Sequence, residues 1–476
     1  MSEIHELTAL QQRDAVAAGE LSARELTEHY LRRIEELNPD LGSFITVTAE
    51  SAMVEAAAAD ERQAAGEPLT LLHGLPLAHK DLTDVAGVRT TYGSAAVDHP
   101  LADADSPLVA LLRQAGAISL GKTQVPEFGL SCYSENLIAA PARNPLDPAL
   151  SPGGSSGGSA AAVTAGMLPF APGTDGGGSV RIPASATGLI GLKPNRGRVP
   201  GGSGQSDLGQ FVVAGPLART TTDAALLLDA MVDAPNFHAT SAAREGHGTF
   251  LGALLESRNA GRTKLRIGLS TASPFDSTMD ITLEEAARTA LDSGEKALTA
   301  IGHDVVEAEL RYDNRYHHAF QTVWTAGLSQ APIASDREAA LTPITRTLRR
   351  RALTRSAADL AEAIGILRTF EEDTIAQYAQ CDLILTPAMA MTPRPIGWYT
   401  TDDGDTDYVR QCQYTPYTSM VNVCGLPALT IPTHTTPKGL SMGIQLIGRP
   451  SSEATLLSVS ARLERHFTEG ITTVQN

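Results

Sequence analysis

Two glycine- and serine-rich loops carry the residues best suited to chemistry. They read GGSSGGS at 153–159 and GTDGGGS at 173–179. Glycine lets the backbone adopt positive φ angles and lets other groups approach closely. Serine hydroxyls beside exposed backbone N–H groups supply an oxygen nucleophile together with donors for a developing oxyanion. The two loops therefore indicate the site of a nucleophilic hydrolase.

The alternative interpretation is a pair of flexible Gly/Ser linkers. Between the loops, residues 160–165 are typical of a helix and residues 167–171 of a buried apolar run. Flexible linkers do not alternate with core elements at this spacing. The alternation of loops and core elements therefore favours an ordered functional site over flexible linkers.

The segment 151–200 resembles the amidase signature family of serine hydrolases, which cleave acyl–nitrogen bonds, mostly amides. Matching motifs also occur elsewhere: LPLAHKD at 75–81, GKTQVPEF at 121–128, GPLARTTTDAALLLD at 215–229 and NVCGLPALTIP at 422–432. Together they cover roughly half of the chain and are spread along most of its length.

The resemblance implies a Lys–Ser–Ser arrangement in which Ser179 is the nucleophile, Ser155 the bridging serine and Lys80 the terminal base. A lysine at its reference pKa of about 10.4 is mostly charged at neutral pH, so burial must favour its neutral form. The apolar run before Lys80 is consistent with burial. The alternative is a surface lysine paired with Asp81 or Asp84.

The resemblance also assigns an oxyanion hole to backbone N–H groups of the second loop. Its donors would be Gly176, Gly177 and Gly178, together with Ser179. The common family pattern has a larger residue at position 176, so glycine there adds flexibility and leaves open how firmly the first donor is held.

Three further side chains are expected to support the loops. Ser156 is either a hydrogen-bond partner of the lysine or purely structural, and Asp175 and Arg181 are expected to brace the second loop. Family members hold the bridging serine through a cis peptide, which implies a cis bond between Gly154 and Ser155.

Composition limits the other classes of function. The 37 basic and 54 acidic residues give a formal net charge of −17, which argues against nucleic acid or an anionic membrane as the main partner. Four cysteines show no disulfide framework, and no secretory signal or 18-residue apolar run is visible. We expect a cytoplasmic monomer or homodimer that acts on a small-molecule amide-type substrate, with no cofactor and no metal.

The pattern of elements predicts the fold class. A capping box at 22–25 opens a helix that Asn38 and Pro39 should end, and another capping box at 282–285 opens a later helix. Short apolar strands alternate with helices after residue 75. The sequence therefore predicts an α/β fold with a mixed, mostly parallel sheet and helices on both sides.

The whole chain, residues 1–476, is predicted to form one amidase-signature domain. Its parts are an N-terminal helical scaffold at 1–65, a catalytic core at 66–230, a helical insert at 311–380 that contributes the substrate pocket, and a C-terminal core at 381–476. Residues 233–259 are polar and turn-rich and favour a surface excursion.

Two short motifs point to other chemistry but lack the required context. Residues 116–123 fit the phosphate-loop formula GxxxxGK[ST], yet a predicted helix precedes them and strand-like residues fall inside them. Residues 153–157 fit the nucleophile elbow GxSxG, yet a proline-rich loop rather than a strand leads into them.

Aromatic residues recur every four positions at Tyr312, Tyr316, Phe320 and Trp324. On a helix they would form one stripe, which is either core or the wall of a substrate pocket. Such a stripe is more often core than binding surface. Against this, aromatics are only 5% of the chain and four fall within thirteen residues, so we predict a pocket for a medium-sized, uncharged or aromatic acyl group. Trp398 follows a proline-rich loop and is expected to close the same site.

The sequence thus predicts hydrolysis of an acyl–nitrogen bond in an amide, anilide or hydrazide through a Ser179 acyl-enzyme. One alternative is the glutaminase subunit of a tRNA-dependent amidotransferase, a related enzyme that works inside a complex. A second alternative is a nucleotide-binding protein that uses Gly116–Thr123.

Overall fold

The structure is a computed structural model that describes residues 3–201, 207–232, 249–257 and 263–474. Its helices are α1 (Ala9–Ala17), α2 (Ala23–Leu41), α3 (Ala49–Ala64), α4 (Pro107–Gln114), α5 (Gly157–Thr164), α6 (Arg181–Thr187), α7 (Thr221–Met231), α8 (Thr249–Ser257), α9 (Glu285–Ala300), α10 (Tyr316–Trp324), α11 (Pro343–Thr354), α12 (Ala357–Tyr378), α13 (Gly404–Tyr414), α14 (Ser419–Val423) and α15 (Glu453–Val474). Its strands are β1 (Phe44–Val47), β2 (Pro76–Lys80), β3 (Ile118–Thr123), β4 (Phe170–Asp175), β5 (Ile190–Lys193), β6 (Val213–Ala218), β7 (Arg266–Leu269), β8 (Asp304–Glu307), β9 (Leu383–Pro387), β10 (Ala428–Thr435) and β11 (Ser441–Gly448).

The larger sheet has the strand order β4-β6-β5-β10-β11-β9-β7-β8. The predicted α/β class with a mixed sheet is confirmed, but the expectation of mostly parallel strands is wrong. Neighbours are antiparallel from β4 to β9, and only the β9–β7 and β7–β8 pairs are parallel. The turn between β10 and β11 is too short for a crossover, so those two strands form an antiparallel hairpin.

Apolar side chains cover both faces of this sheet. Leu429 and Ile431 pack into a cluster that includes residues of α7 and α15, whereas Ala428 and Ile447 pack into a second cluster with residues of α10, α12 and α14. Helices therefore lie on both sides of the sheet, as predicted. Among the described residues, none of the helices combines the length and apolar character needed to cross a membrane.

A smaller sheet, of order β1-β3-β2, carries one of the predicted site residues. Strand β2 runs parallel to β3 and ends at Lys80, while β1 pairs antiparallel with the other edge of β3. The sequence did not predict β1, which lies between two N-terminal helices. Strand β2 also packs against β4, and this contact joins the two sheets beside the second loop.

Three local predictions differ from the structure. Helix α2 continues through Pro39 to Leu41 and is followed by Gly42 in a left-handed conformation. Pro39 removes one backbone hydrogen bond from the last turn, and the helix ends two residues later. The box at 282–285 does not form, because Glu284 is the N-cap of α9. Of the expected surface excursion at 233–259, residues 249–257 form α8, and the others lie outside the described residues.

The phosphate-loop formula falls inside the core of the smaller sheet. Gly121, Lys122 and Thr123 belong to β3 rather than to a loop before a helix. The Lys122 ammonium is fully buried and lies 2.9 Å from the Asp81 carboxylate. The lysine is therefore a partner in a buried ion pair, and the nucleotide-binding interpretation is not supported.

The ion pair predicts how a substitution at Lys122 will act. Lys122→Ala leaves the Asp81 charge buried without its partner and should lower the free energy of unfolding by about 3–5 kcal/mol. Denaturant unfolding measures this loss. Lys264→Ala, at an exposed lysine 4.0 Å from Asp304, is the control and should stay within about 0.5 kcal/mol. Unchanged stability together with lost ATP binding would restore the nucleotide-binding interpretation.

Candidate active site

Lys80 lies at the meeting point of the two sheets. The side chain is 2% exposed, and its Nζ lies 2.7 Å from Ser155 Oγ and 2.9 Å from Thr174 Oγ1. Burial lowers the pKa of Lys80 from its ordinary value to about 7, against the opposing effect of the Asp175 carboxylate. A fraction of the amine is therefore neutral at physiological pH. Asp81, the surface partner considered above, is instead paired with Lys122.

The loop before α5 presents Ser155 to this lysine. The peptide bond between Gly154 and Ser155 is cis. A Cβ at position 154 would overlap the backbone of Tyr133, so only glycine fits there. The Ser134 hydroxyl accepts from the Gly157 N–H at 3.0 Å and fixes the start of the helix.

Thr174 on β4 links the lysine to the rest of the site. Its hydroxyl and its carbonyl both lie within hydrogen-bond distance of Lys80 Nζ. Ser156 contacts the backbone of Thr174, with 3.3 Å from its Oγ to both the carbonyl and the N–H. Of the two roles considered for Ser156, the contacts among the described residues show one with Thr174, which in turn contacts the lysine, and none with the lysine itself. Sequence reasoning missed Thr174, although it lies inside the second loop motif.

The two serine loops are joined through the backbone. The N–H of Ser156 donates to the carbonyl of Ser179 at 3.2 Å. Ser155 and Ser179 are both buried, with 2% and 8% of their surface exposed. The structure thus brings Lys80, Ser155 and Ser179 into one region, although Lys80 and Ser179 are 99 positions apart in sequence.

A buried ion pair braces the second loop. The Asp175 carboxylate accepts from Arg181 Nη2 at 2.8 Å and from the backbone N–H of Gly178 at 2.8 Å. Arg181 also donates to Gln445 and Asn422 in the C-terminal part of the chain, both at 2.6 Å. Burial opposes the charge on Asp175, but the Arg181 guanidinium, the Lys193 ammonium and the Asn422 amide together outweigh it and hold the pKa of this carboxyl below its ordinary value.

This bracing changes the expected oxyanion hole. The Gly178 N–H is already bound to Asp175, so it does not serve as a free donor. The N–H groups of Gly176, Gly177 and Ser179 have no acceptor within the described part of the chain. The carbonyl of Gly177 accepts from the Thr418 hydroxyl at 2.6 Å, which fixes the orientation of the neighbouring peptides.

A cavity opens directly onto Ser179 and Gly177. Its lining consists of apolar and neutral polar side chains, without Asp, Glu, Lys, Arg or His among the described lining residues. The other residues of the wall are Leu130, Ser131, Cys132, Ile182, Phe275, Phe320, Trp324, Tyr408, Gln411, Cys412, Thr415 and Ser419. The wall is thus adapted to an uncharged ligand.

The aromatic stripe divides between core and cavity. Phe320 and Trp324 line the cavity and stack on each other, with ring centroids 6.0 Å apart. Tyr316 is fully buried, packs against Phe370 and reaches the cavity only indirectly, through its hydroxyl bond to Ser419. Its assignment to the pocket is therefore wrong. Helix α10 begins at Tyr316, so Tyr312 precedes it.

Trp398 does not contribute to this cavity. The guanidinium groups of Arg394 and Arg410 lie over its indole ring, 5.9 and 5.2 Å from the centroid, and Tyr399 packs against its edge. Trp398 packs against the buried cluster that contains the wall residues Cys132 and Ile182, but it does not line the cavity itself, so the expectation that it closes the site is wrong. Most of the other lining residues were also missed, since they come from loops and helices far apart in sequence.

Glycine at position 176 has a specific structural reason. A Cβ placed there would lie 2.6 Å from two carbons of the Trp324 indole and 3.0 Å from Val212. Trp324 thus fills the space that a side chain at 176 would take.

Comparisons with known proteins agree with this architecture. The family model described as Amidase matches residues 25–457. The chain is 38% identical to the amidase-family protein AmiB2 of Mycobacterium tuberculosis (strain H37Rv) over 461 residues, covering 96% of this chain and 95% of that protein. It is 36% identical over 485 residues to one of the subunits of the glutamyl-tRNA(Gln) amidotransferase of Thioalkalivibrio sulfidiphilus, covering 96% of each.

The similarity extends to solved structures. The structure of 6-aminohexanoate cyclic dimer hydrolase with its substrate superposes with a TM-score of 0.87 at 26% identity, covering 98% of each chain. With nearly its whole length matched, the chain belongs to the amidase family. Hydrolysis of amides is the activity that this membership supports.

The packing of Trp324 on Gly176 yields a prediction. Gly176→Ala should lower the free energy of unfolding by about 1–3 kcal/mol, because the added methyl group overpacks the indole. Trp324→Ala in the same chain should recover part of that loss in a double-mutant cycle followed by denaturant unfolding.

The matched control is Gly365→Ala. Gly365 lies in α12 with open space around its Cβ position, so alanine should stabilise the helix by about 0.5–1 kcal/mol. Additive effects of the Gly176 and Trp324 substitutions would show that the two residues do not share the space.

Proposed function

We propose that the protein hydrolyses the acyl–nitrogen bond of an uncharged amide through an acyl-enzyme on Ser179, with Ser155 as the bridging serine and Lys80 as the general base. The observation that carries this proposal is the buried contact of 2.7 Å between Lys80 Nζ and Ser155 Oγ. A lysine acts as a base only when it is neutral, and burial favours that form.

The proton steps follow from this arrangement. As the Ser179 oxygen attacks the substrate carbonyl, Ser155 takes its proton and passes its own proton to the Lys80 amine. The proton then returns through Ser155 to the leaving nitrogen when the tetrahedral intermediate collapses. Water attacks the acyl-enzyme by the same route in reverse and releases the acid.

The negative oxygen of the intermediate needs donors that are not already engaged. The N–H groups of Gly176 and Gly177 meet this condition, and Ser179 offers a third. Removing a single oxyanion-hole donor from another serine hydrolase costs about 2.7–4 kcal/mol of transition-state stabilisation. A histidine base is disfavoured because no histidine is among the described residues that line the cavity.

The lining of the cavity supports a neutral acyl group. The aromatic surface of the cavity comes from Phe275, Phe320 and Trp324. The described residues that line the cavity include no charged side chain that could pair with an ionised substrate. Burying an unpaired charge is costly. We therefore infer a medium-sized, apolar or aromatic acyl group in an amide, anilide or hydrazide.

The second candidate is the glutaminase of a tRNA-dependent amidotransferase. The relative from Thioalkalivibrio sulfidiphilus favours it, at 36% identity. Glutamine carries both an ammonium and a carboxylate at neutral pH, and each would need an opposite charge in a buried site. The neutral lining of the cavity speaks against glutamine as the substrate of this chain.

The nucleophile is tested by covalent labelling. A fluorophosphonate should attach to Ser179, and Ser179→Ala should abolish both the adduct and amide hydrolysis, with a loss of several orders of magnitude in kcat. Peptide mapping by mass spectrometry locates the adduct. An adduct on Ser155 would contradict the assignment.

The base is tested by the pH profile. Since Lys80 must be neutral, log kcat/KM should fall with unit slope below a pH of about 7 and level off above it. Lys80→Met should remove acylation while circular dichroism shows an intact fold. A bell-shaped or histidine-like profile that survives Lys80→Met would refute the role of the lysine.

The pocket is tested by substrate preference. Phenylacetamide and benzamide should give higher kcat/KM than acetamide or glutamine, and Trp324→Ala should reduce that advantage by about tenfold. Trp398→Ala is the matched control, since Trp398 lies outside the cavity, and should leave the preference unchanged. A preference for glutamine would instead support the role in an amidotransferase.

A further inference from the structure

The side-chain amide of Gln411 on α13 has a hydrogen-bonded oxygen and a nitrogen with no partner among the described residues. Its side chain is 7% exposed and lines the same cavity as Ser179. The backbone N–H of Cys132 donates to Gln411 Oε1 at 2.9 Å. Because a backbone N–H requires an acceptor, this bond fixes the oxygen of the amide on Cys132 and the nitrogen on the opposite side.

The nitrogen has no partner in the protein. Gln411 Nε2 is buried and finds no acceptor among the described residues. Buried polar groups are nearly always hydrogen-bonded, and an unmade bond at such a group costs free energy. Ligand pockets are mostly apolar and carry a few placed polar groups that orient the ligand, and the Gln411 amide is such a group in the wall of this cavity.

The neighbouring wall does not supply that partner. The Thr415 hydroxyl donates to the backbone carbonyl of Gln411 at 3.1 Å. Cys132 and Cys412 are buried thiols, and burial raises the pKa of Cys412 to about 12, so this wall stays uncharged at neutral pH. Thiols are weak acceptors and do not satisfy an amide donor well.

We propose that Gln411 Nε2 is a specificity-determining donor that binds a second, neutral oxygen acceptor of the substrate, a carbonyl group distinct from the one attacked by Ser179. A carboxylate is disfavoured, since the cavity offers no cation within the described residues. The preferred substrate is therefore an amide whose acyl group carries a ketone, ester or second amide carbonyl. This inference rests on the proposed function of the site.

Pairs of amides that differ only in the acceptor test this inference. In each pair an acetyl group is replaced by an isopropyl group of similar shape: 4-oxopentanamide with 4-methylpentanamide, 3-acetylbenzamide with 3-isopropylbenzamide, and 4-acetylphenylacetamide with 4-isopropylphenylacetamide. The three pairs place the acceptor at different distances from the scissile carbonyl. At least one carbonyl compound should exceed its partner about tenfold in kcat/KM, as expected for one net hydrogen bond.

Two variants decide whether Gln411 causes the preference. Gln411→Met keeps the volume and removes the donor, and Gln411→Glu keeps the acceptor for the Cys132 N–H. At pH 9, both variants should bring the ratio of kcat/KM between the carbonyl compound and its isopropyl partner close to one or below it. A purely structural role would lower both members of a pair by the same factor and leave the ratio unchanged.

Gln413→Glu is the matched control on the same helix. Its side chain donates to the Asp280 carbonyl at 3.1 Å and does not line the cavity, so the ratio should equal that of the wild type. A wild-type ratio near one in all three pairs, or a preference that persists in Gln411→Met, would overturn the inference. Hydrolysis that persists in Ser179→Ala, or hydrolysis of none of the six amides, would instead overturn the proposed function.

Discussion

The contact between the Lys80 amine and the Ser155 hydroxyl is the interaction on which the site depends. It places an ionisable group in surroundings where charge is disfavoured, and that burial brings the pKa of Lys80 to about 7. The smaller sheet delivers the lysine, and β4 of the larger sheet holds it through Thr174. A basic amine inside the protein is thus a consequence of how two sheets meet.

The Asp175–Arg181 ion pair determines the shape of the loop around Ser179. The Asp175 carboxylate accepts a hydrogen bond from the Gly178 N–H, so this N–H is not free for a ligand. Arg181 anchors the loop to Asn422 and Gln445 near the C-terminus. Breaking such a pair on one side leaves a buried charge, so the loop is held in one arrangement. The loop around Ser179 and the C-terminal elements α14 and β11 therefore depend on each other, although they are far apart in sequence.

The sequence indicated where the candidate site lies because the two glycine-rich loops are local motifs. The roles proposed for Ser155 and Ser179 rest on the resemblance to the amidase signature family. The direction of the strands was not predictable, since helix–strand alternation does not show which strands become neighbours. Periodicity places Tyr316 and Phe320 on the same face of α10 but does not show how far along that face a cavity extends, so the two residues looked equivalent. Gln411 carries no signal in sequence, because its role depends on a contact with Cys132 across the fold.

The central claim is that Lys80 is buried with a pKa far below that of a free lysine. The pH dependence of the free energy of unfolding, compared between the wild type and Lys80→Met, measures this directly. Between a pH of about 7 and about 10.4 the unfolded lysine binds a proton that the folded one has lost, so stability rises with pH. The wild type should gain about 1.4 kcal/mol per pH unit over Lys80→Met in this window and nothing below it. A constant difference between the two proteins from pH 6 to pH 10 would contradict the account.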